Sequence, residues 1–366
     1  MSKKDLGLLV LILVVGAVVT AINPRFLLPI NLANTSNLIG LFGILSIGQA
    51  FVIITGGIEL SVGSLVALLG TLFIDFIAVR EMDWPLAFVL IIALGAIIGF
   101  VHGWLITRLK MQPFVVTLCG LLIYRGVARF YTADGTAGFA FGQNFPDLEF
   151  LTAGRSYGVP NSFIALIVIA IVMWVVLHRS VFGRYLYAIG KNEEAAKYSG
   201  IRTGRIVIAA YVICGVLTAL SAIYFAMYTR SISPASHGQF YELYAIAAAV
   251  LGGFSLRGGE GSLVGVILGT VLLQELQNLV NLLGIPSSLN FAVMGGVILI
   301  GVLVDQQWGV FRARRRMLEA TRRNVAGARR SRLRSGPTDQ RTPSPCAAPR
   351  RSARRRSPWR RCCRSR

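Results

Sequence analysis

Long apolar runs alternate with short polar stretches along most of this chain. Ten of the runs approach or exceed the length at which a helix crosses the hydrocarbon core of a bilayer, about 20 residues. They are Leu6–Ile22, Leu38–Thr55, Val62–Val79, Pro85–Ile106, Pro113–Tyr131, Phe163–Leu177, Ile206–Tyr228, Leu243–Leu256, Ser262–Leu283 and Leu289–Val304. The runs are too uniformly apolar for barrel strands, which alternate two kinds of side chain over ~10 positions. The pattern therefore predicts an all-α, polytopic membrane protein with about ten transmembrane helices.

The composition agrees with this prediction. Hydrophobic residues occupy 54% of the 366 positions and charged residues 14%, and the mean hydropathy is +0.64. A water-soluble domain of this length needs a polar surface, so the composition excludes that class of protein.

Positive charge is concentrated at the carboxyl end. The net charge of the chain is +21, and residues 311–366 hold 20 Arg against only Glu319 and Asp339. This segment is rich in Ser and Pro and has no apolar periodicity, so we predict a disordered tail. The chain thus divides into a predicted transmembrane domain, residues 1–310, and an Arg-rich tail, residues 311–366. Clustered arginine suits anionic membrane lipid, and no specific nucleic-acid partner is expected.

Lys and Arg in the short loops predict the orientation of the spans, because basic loops favour the cytoplasm. Lys3 and Lys4 precede the first span, and ten crossings return the carboxyl end to the same side. Both termini are therefore predicted to be cytoplasmic. The same alternation places the basic, polar segment Gly183–Arg205 in the cytoplasm.

Gly183–Arg205, GRYLYAIGKNEEAAKYSGIRTGR, is a polar segment between the apolar runs Phe163–Leu177 and Ile206–Tyr228. A helix of about two turns fits inside it: Asn192 can cap its start, acidic residues favour its first turn, and Gly200 can end it. A helix this short rarely persists alone in water, so it predicts either a docking contact with a soluble partner or an ordinary solvated loop helix. The candidate contact residues are Asn192, Glu193, Glu194, Ala195, Tyr198 and Gly200.

A second polar cluster, TGGIELSVGSLV, separates the second and third runs and indicates a helix break. An ionisable residue flanked by glycines at membrane depth normally faces protein or a water-filled cavity. Glu59 is therefore a candidate for lining a transport path or ordering a helix interface, and a tight polar turn at the membrane surface is the alternative. The candidate residues of this break are Gln49, Gly56, Gly57, Glu59, Ser61 and Gly63.

The chain carries no pattern that predicts catalysis. The Gly-rich segment Leu251–Ser262 lacks the GxxxxGK[ST] spacing of a phosphate loop, so the chain is not expected to hydrolyse ATP. No nucleophile–base or metal-ligand spacing is found, and we predict no catalytic residue, bound cofactor or metal. His102 is compatible with a proton relay or, more simply, with a neutral histidine packed between helices.

Four segments resemble the permease subunits of ribose-type sugar ABC importers. They are QAFVIITGGIELSVGSLVAL at Gln49–Leu68, MQPFVVTLCGLLIYRGVA at Met111–Ala128, GRYLYAIGKNEEAAKYSGI at Gly183–Ile201 and AIAAAVLGGFSLRGGEGSLVG at Ala245–Gly265. The resemblance runs from about residue 5 to residue 310. The family usually has Asp where this chain has Glu59, and the Arg-rich tail matches nothing typical of it.

The resemblance implies a bacterial inner-membrane protein of about ten spans that pairs with a second permease subunit, identical or homologous. It implies ATP-binding cassette subunits inside and a periplasmic sugar-binding protein outside. Gly183–Arg205 would be the segment that couples to the ATPase, with Glu193, Ala195 and Gly200 matching its pattern. The implied function is ATP-driven import of a ribose-like monosaccharide. A secondary transporter or channel that uses no ATPase is the alternative.

Overall fold

A computed structural model of the chain describes residues 3–286 and five further helical positions, 289, 292, 295, 296 and 299. The predicted tail at 311–366 and, apart from those five positions, the predicted tenth span Leu289–Val304 lie outside the described residues. Between residues 3 and 286 the chain is almost entirely helical. The helices are α1 Lys3–Ile22, α2 Pro29–Ile53, α3 Val62–Ile74, α4 Trp84–Arg108, α5 Pro113–Tyr131, α6 Pro146–Thr152, α7 Asn161–His178, α8 Val181–Lys191, α9 Glu193–Tyr198, α10 Thr203–Thr229, α11 Tyr241–Leu251 and α12 Leu263–Leu282.

Eight helices between residues 3 and 286 are long and apolar enough to cross a membrane. They are α1, α2, α3 with its π-helical extension Asp75–Val79, α4, α5, α7, α10 and α12, and each corresponds to a predicted span. The chain is thus a multi-pass, all-α membrane protein, as predicted.

The predicted eighth span, Leu243–Leu256, is wrong in its length. The helix found there, α11, has 11 residues, or about 16 Å at 1.5 Å per residue, roughly half of a ~30 Å hydrocarbon core. It ends because Gly252 caps it and Gly253 adopts a φ of +90°, a conformation that glycine enters without steric cost. Apolar composition continues past this point, so hydropathy alone overestimated the helix.

Three helices form the centre of the described bundle. The buried share of the span is 89% in α2, 72% in α3 with its π-helical extension and 61% in α10, against 17% in α1. An α-helix buried on every side needs an apolar surface all round, which these sequences supply. The spans α1, α4, α5 and α7 lie around them and expose apolar side chains.

Glycine allows α4 and α10 to cross closely. Gly95 lies against Gly215 and Ala219, and Gly99 lies against the backbone of Tyr211, so a Cβ at either glycine would collide with α10. Small residues bring helix backbones together and increase their van der Waals contact. On α12, Gly265 and Gly269 pack in the same way against α11.

Short strands and one short helix cover one end of the bundle. Strand β1, Ala137–Gly138, pairs antiparallel with β4, Ser231–Ile232, and β2, Arg155–Ser156, pairs with β3, Val159–Pro160. Together with α6, the strands β1, β2 and β3 form a segment, residues 137–160, that we call the strap. The strap joins α5 to α7 and is attached to the end of α10 through the β1–β4 pair.

Candidate functional site

The polar segment between α7 and α10 folds as two consecutive helices, α8 and α9, which we call the polar arm (residues 181–198). Sequence analysis anticipated α9 but not α8. The Ser180 hydroxyl caps α8 by accepting a hydrogen bond of 3.0 Å from the Gly183 amide. Helix α8 buries Gly183, Leu186 and Ile189 along one face. Its apolar residues recur at helical spacing within a basic sequence, and this amphipathic pattern could have revealed it.

Helix α9 confirms the predicted local structure of the arm. The Asn192 Oδ1 accepts a 3.0 Å hydrogen bond from the Ala195 amide, Glu193 and Glu194 occupy the first turn, and Gly200 follows the helix with a φ of +82°. The Lys197 ammonium lies 3.1 Å from a carboxylate oxygen of each glutamate. These hydrogen bonds, with Glu193 the larger contributor, raise the pKa of Lys197 above its usual range.

The two sides of α9 differ. Ala196 is buried, and the Glu193 Oε1 accepts a 3.1 Å hydrogen bond from the Thr203 hydroxyl at the start of α10. By contrast, Glu194 is exposed and Tyr198 is 89% exposed. A large aromatic ring that is exposed to solvent beside an acidic turn gives the arm a surface that a partner protein can contact. Among the candidate residues of the arm, Glu193 is therefore bonded to α10, whereas Glu194 and Tyr198 face solvent.

A cavity of about 940 Å³ lies beside α9. Its walls come from Glu193, Glu194 and Lys197 of the arm, from the end of α4, from the start of α10 and from the break after α2. Gly56 and Gly57 of that break also line the cavity. The structure thus brings together two candidate clusters that are more than 130 positions apart in the sequence.

A junction of glycines joins the polar arm to two helix breaks: the break after α2 and the break between α11 and α12, residues 252–262. At Gly190, the last turn of α8, a Cβ would collide with the Ile54 carbonyl and with the Gly259 amide. The Gly259 amide itself donates a 2.8 Å hydrogen bond to the Ile54 carbonyl. Gly56 and Gly258, both at positive φ, complete the junction. Backbone therefore meets backbone where the arm touches the segments Ile54–Gly57 and 252–262.

Glu59 lies inside the bundle and is almost fully hydrogen-bonded. Its side chain is 5% exposed. The Oε1 accepts from the Ser61 amide at 2.8 Å and from the Ser61 hydroxyl at 2.6 Å, and the Glu59 carbonyl accepts from the Gln49 amide group at 2.5 Å. Gln49, Glu59 and Ser61 thus lie in one polar layer, which tightens the break between α2 and α3 from within.

Two residues from other helices complete this layer. The His102 Nδ1 lies 2.8 Å from the Glu59 Oε2, and the His102 Nε2 lies 2.8 Å from the Tyr124 hydroxyl. The chain of contacts links the break to α4 and α5. Sequence analysis weighed His102 as a relay or a packed residue without identifying Glu59 as its partner. Positions 59, 102 and 124 lie on separate elements, and their spacing carries no signal of contact.

The space around the Glu59 layer is only about 10 Å³, at the lower limit for one water molecule. This space is too small to hold a monosaccharide. The geometry therefore favours ordering of a helix interface over lining of an open path. Gly63, the last candidate of the break, lies one turn away against Gly238 and Glu242.

The chain is similar to known permeases along most of its length. Residues 31–302 match the family described as "Branched-chain amino acid transport system / permease component". The ribose import permease protein RbsC of Bacillus subtilis (strain 168) is 41% identical over 304 residues, covering 82% of this chain and 91% of that protein. RbsC of Escherichia coli (strain K12) is 38% identical over 306 residues, covering 84% and 94%. The fructose import permease protein FrcC of Rhizobium meliloti is 30% identical over 316 residues, covering 83% and 86%. No solved structure matches the chain significantly.

Proposed function

Because this chain belongs to the family of permease components of branched-chain amino acid transport systems, we propose that it is the transmembrane subunit of an ATP-driven importer that carries a monosaccharide. The relatives named as ribose and fructose import permeases, 30–41% identical over more than four fifths of the chain, support a sugar over the amino acid in the family's description. A ribose-like sugar is the substrate we propose.

The polar arm is the observation that carries the proposal of an ATPase partner. Its second helix, α9, is capped and presents Glu194 and Tyr198 to solvent. Its first helix, α8, meets two helix breaks through backbone contacts at Gly190. A partner that moves α9 therefore moves Gly190 against both breaks. We propose that closure of two ATP-bound partner subunits draws a pair of arms together and reorients the spans. A partner shifts the equilibrium between two conformations only by its differential affinity for them. Because this chain lacks a phosphate loop, we propose that ATP hydrolysis in the partner supplies the energy.

The complete system combines permease subunits, ATP-binding subunits and a binding protein. Two ATP-binding cassette subunits bind the arms, a second permease subunit pairs with this one, and a periplasmic sugar-binding protein delivers the sugar. The proposed location is a bacterial inner membrane, as the family resemblance implies, and the basic loops support an orientation with both termini in the cytoplasm.

Reconstitution tests the function. The permease is co-expressed with the ATPase and binding protein encoded beside it, purified by a tag on the permease, and placed in liposomes. We expect a stoichiometric ATPase to co-purify and radiolabelled D-ribose to accumulate only with ATP and the binding protein. Accumulation of L-leucine in place of the sugar would refute the substrate class. Sugar flux through the purified permease alone would support a secondary transporter or channel.

A further inference from the structure

A pocket of about 320 Å³ that contains charged side chains lies where α5 passes the start of α11, away from the Glu59 layer. Its volume falls at the lower end of the range for small-molecule sites, ~300–1,000 Å³. One side of the pocket is α5, and the other is the loop before α11 together with the first turn of that helix. The lining residues are Leu121, Arg125, Arg129, Ala235, Gln239, Phe240 and Glu242.

Glu242 is the unusual residue of this pocket. It is 7% exposed and sits in the first turn of α11. Its own backbone amide donates a hydrogen bond to its carboxylate. Within the described residues no side chain donates to that carboxylate, and no cation lies within 4 Å of it. An ionised carboxylate has about four lone-pair sites, so a buried one with a single donor keeps acceptor capacity that is costly to leave unused. Donors from a ligand would fill that capacity.

Gly63 explains how a carboxylate is accommodated at this depth. A Cβ at Gly63 would collide with the Glu242 Oε2 and the Gly238 carbonyl, so the carboxylate lies directly against the first turn of α3. The amino end of a helix carries partial positive charge. That end stabilises the Glu242 charge in part, without supplying a side-chain donor. The candidate residue Gly63 thus belongs to this pocket.

Arg125 supplies donors on the opposite wall. Its Nη1 donates hydrogen bonds of 2.6 Å to the Pro234 carbonyl and 2.5 Å to the His237 carbonyl, which holds the loop before α11 in place. A guanidinium has five N–H donors. Within the described part of the chain no acceptor engages its Nε or Nη2. Gln239 adds an amide that can both donate and accept.

We propose that this pocket binds the sugar during its passage through the permease. Hydroxyl groups both donate and accept, so one face of a monosaccharide can donate to Glu242 while accepting from Arg125. The half-exposed Phe240 ring offers an apolar surface for the C–H face of the same sugar. The inference rests on the proposed import of a sugar and assigns the pocket to that substrate.

Site-resolved thiol labelling tests binding directly. In the purified complex of permease and ATPase, Gln239→Cys is alkylated with N-ethylmaleimide, and modification of residue 239 alone is read by peptide mass spectrometry. We expect millimolar D-ribose to slow this modification several-fold. The added substitution Glu242→Gln should abolish protection, and Asp147→Asn, an exposed carboxylate of α6, should leave it unchanged. Protection by L-leucine rather than D-ribose would overturn the assignment to a sugar.

Uptake by the reconstituted complex separates this inference from the proposed function. At saturating, sugar-loaded binding protein we expect Glu242→Gln to reduce D-ribose uptake about tenfold while ATP hydrolysis is retained and thermal stability does not fall below that of the wild type. A wild-type complex that accumulates no sugar would contradict the proposed function itself. A wild-type complex that imports ribose, with unaltered uptake by the Glu242→Gln variant and no protection at residue 239, would overturn only the pocket.

Discussion

Glu193 and Gly200 fix the two ends of α9 by different means. Glu193 contacts both Lys197 and Thr203, so it ties the helix to itself and to α10. Gly200 turns the chain away at a φ of +82°, which proline cannot adopt because its ring holds φ near −65°. Both residues were identified from sequence, because capping and stop signals are local.

The first prediction concerns these two residues. Glu193→Arg places a positive charge at the positive end of α9 and removes the contact with Thr203, and Gly200→Pro misdirects the end of the arm. We expect each variant to lose at least 90% of sugar uptake while ATP hydrolysis and the amount of protein in the membrane are retained. Asp147→Asn, which changes an exposed carboxylate of the strap, is the control for altered charge. Normal uptake by both arm variants would refute a coupling role for α9.

The second prediction concerns Glu59 and His102. Removing one partner of a buried ion pair or hydrogen-bonded pair leaves the other uncompensated, at a cost of about 3–5 kcal/mol. We therefore expect His102→Ala to lower the free energy of unfolding by about 3 kcal/mol, and Tyr124→Phe, which loses one hydrogen bond, by about 1 kcal/mol. Denaturant titration in detergent measures both.

A double-mutant cycle supplies the control for this pair. Residues in direct contact show non-additive effects, so Glu59→Gln combined with His102→Ala should cost less than the two single substitutions added together. Additive costs would mean that the 2.8 Å contact contributes no coupling. Sequence marked Glu59 through its flanking glycines, whereas His102 and Tyr124 required the packing of α4 and α5 to be known.

At the scale of elements, the glycine junction determines how the polar arm meets the bundle. A side chain can usually adjust to a new neighbour by rotation, but a backbone carbonyl cannot. Because Gly190 faces the Ile54 carbonyl and the Gly259 amide, α8 has no freedom to approach the breaks more closely. The break segments and the end of α8 therefore respond together to any displacement.

The third prediction follows from that contact. Gly190→Ala adds one methyl group that meets backbone, so α8 must shift away from both breaks. We expect uptake to fall at least tenfold and ATP hydrolysis to become independent of the sugar-loaded binding protein. Gly126→Ala, on a helix face of α5 with nothing within 4 Å of the new Cβ, is the matched control. A Gly190→Ala variant with binding-protein-stimulated hydrolysis and normal uptake would contradict the prediction.

The strap is held to α10 by a charged contact. The Arg230 Nη1 donates to the Glu149 Oε1 at 2.7 Å, and its Nη2 donates to the Gln143 carbonyl at 2.6 Å. The hydrogen bond from Arg230 lowers the pKa of Glu149 below its usual range. A carboxyl whose pKa is lower in the folded state stabilises that state above its unfolded pKa, and the contribution disappears as the pH falls through the folded pKa.

The fourth prediction is the resulting pH dependence. Between about pH 5 and pH 3, close to and below the ordinary glutamate pKa of ~4.3, we expect faster amide exchange in residues 137–160 of the wild type. In Glu149→Gln the exchange should be faster at neutral pH and change less on acidification, because no carboxylate is left to protonate there. Asp147→Asn keeps the Arg230 contact and should behave as the wild type. Identical pH profiles for the wild type and Glu149→Gln would refute this account.

Hydropathy predicted most of the long helices within a few residues, but it placed the start of α2 at Leu38, nine residues after the observed start at Pro29. It failed where conformation depends on contacts. The start of α7 lies two residues from the prediction, and α5 matches it at both ends. For α11, apolar residues run beyond the Gly252–Gly253 stop, and composition cannot show that the chain turns there. For α8, basic residues obscured the buried face formed by Gly183, Leu186 and Ile189.

At the scale of the whole molecule, the resemblance to a known family predicted more than composition, periodicity and loop charge did. The family was recognised from four segments, and the match over residues 31–302 together with the 38–41% identity to ribose import permeases confirms it. Orientation rests on loop charge, which differs between the two sides by only a few residues, and the second permease subunit leaves no mark in a single sequence. The predicted disorder of the tail depends on composition alone and remains a prediction.

The small size of α9 has a consequence for assembly of the proposed importer. Six residues extend about 9 Å and cannot supply the ~800 Å² per partner of a standard protein interface. One arm alone therefore binds an ATPase subunit weakly. Two arms on paired permeases raise each other's effective concentration, which can strengthen overall binding ~10²–10⁴-fold without a new contact. Pairing of the membrane subunits then decides whether the ATPase subunits stay bound. We therefore expect an unpaired permease to retain no ATPase activity when it is purified.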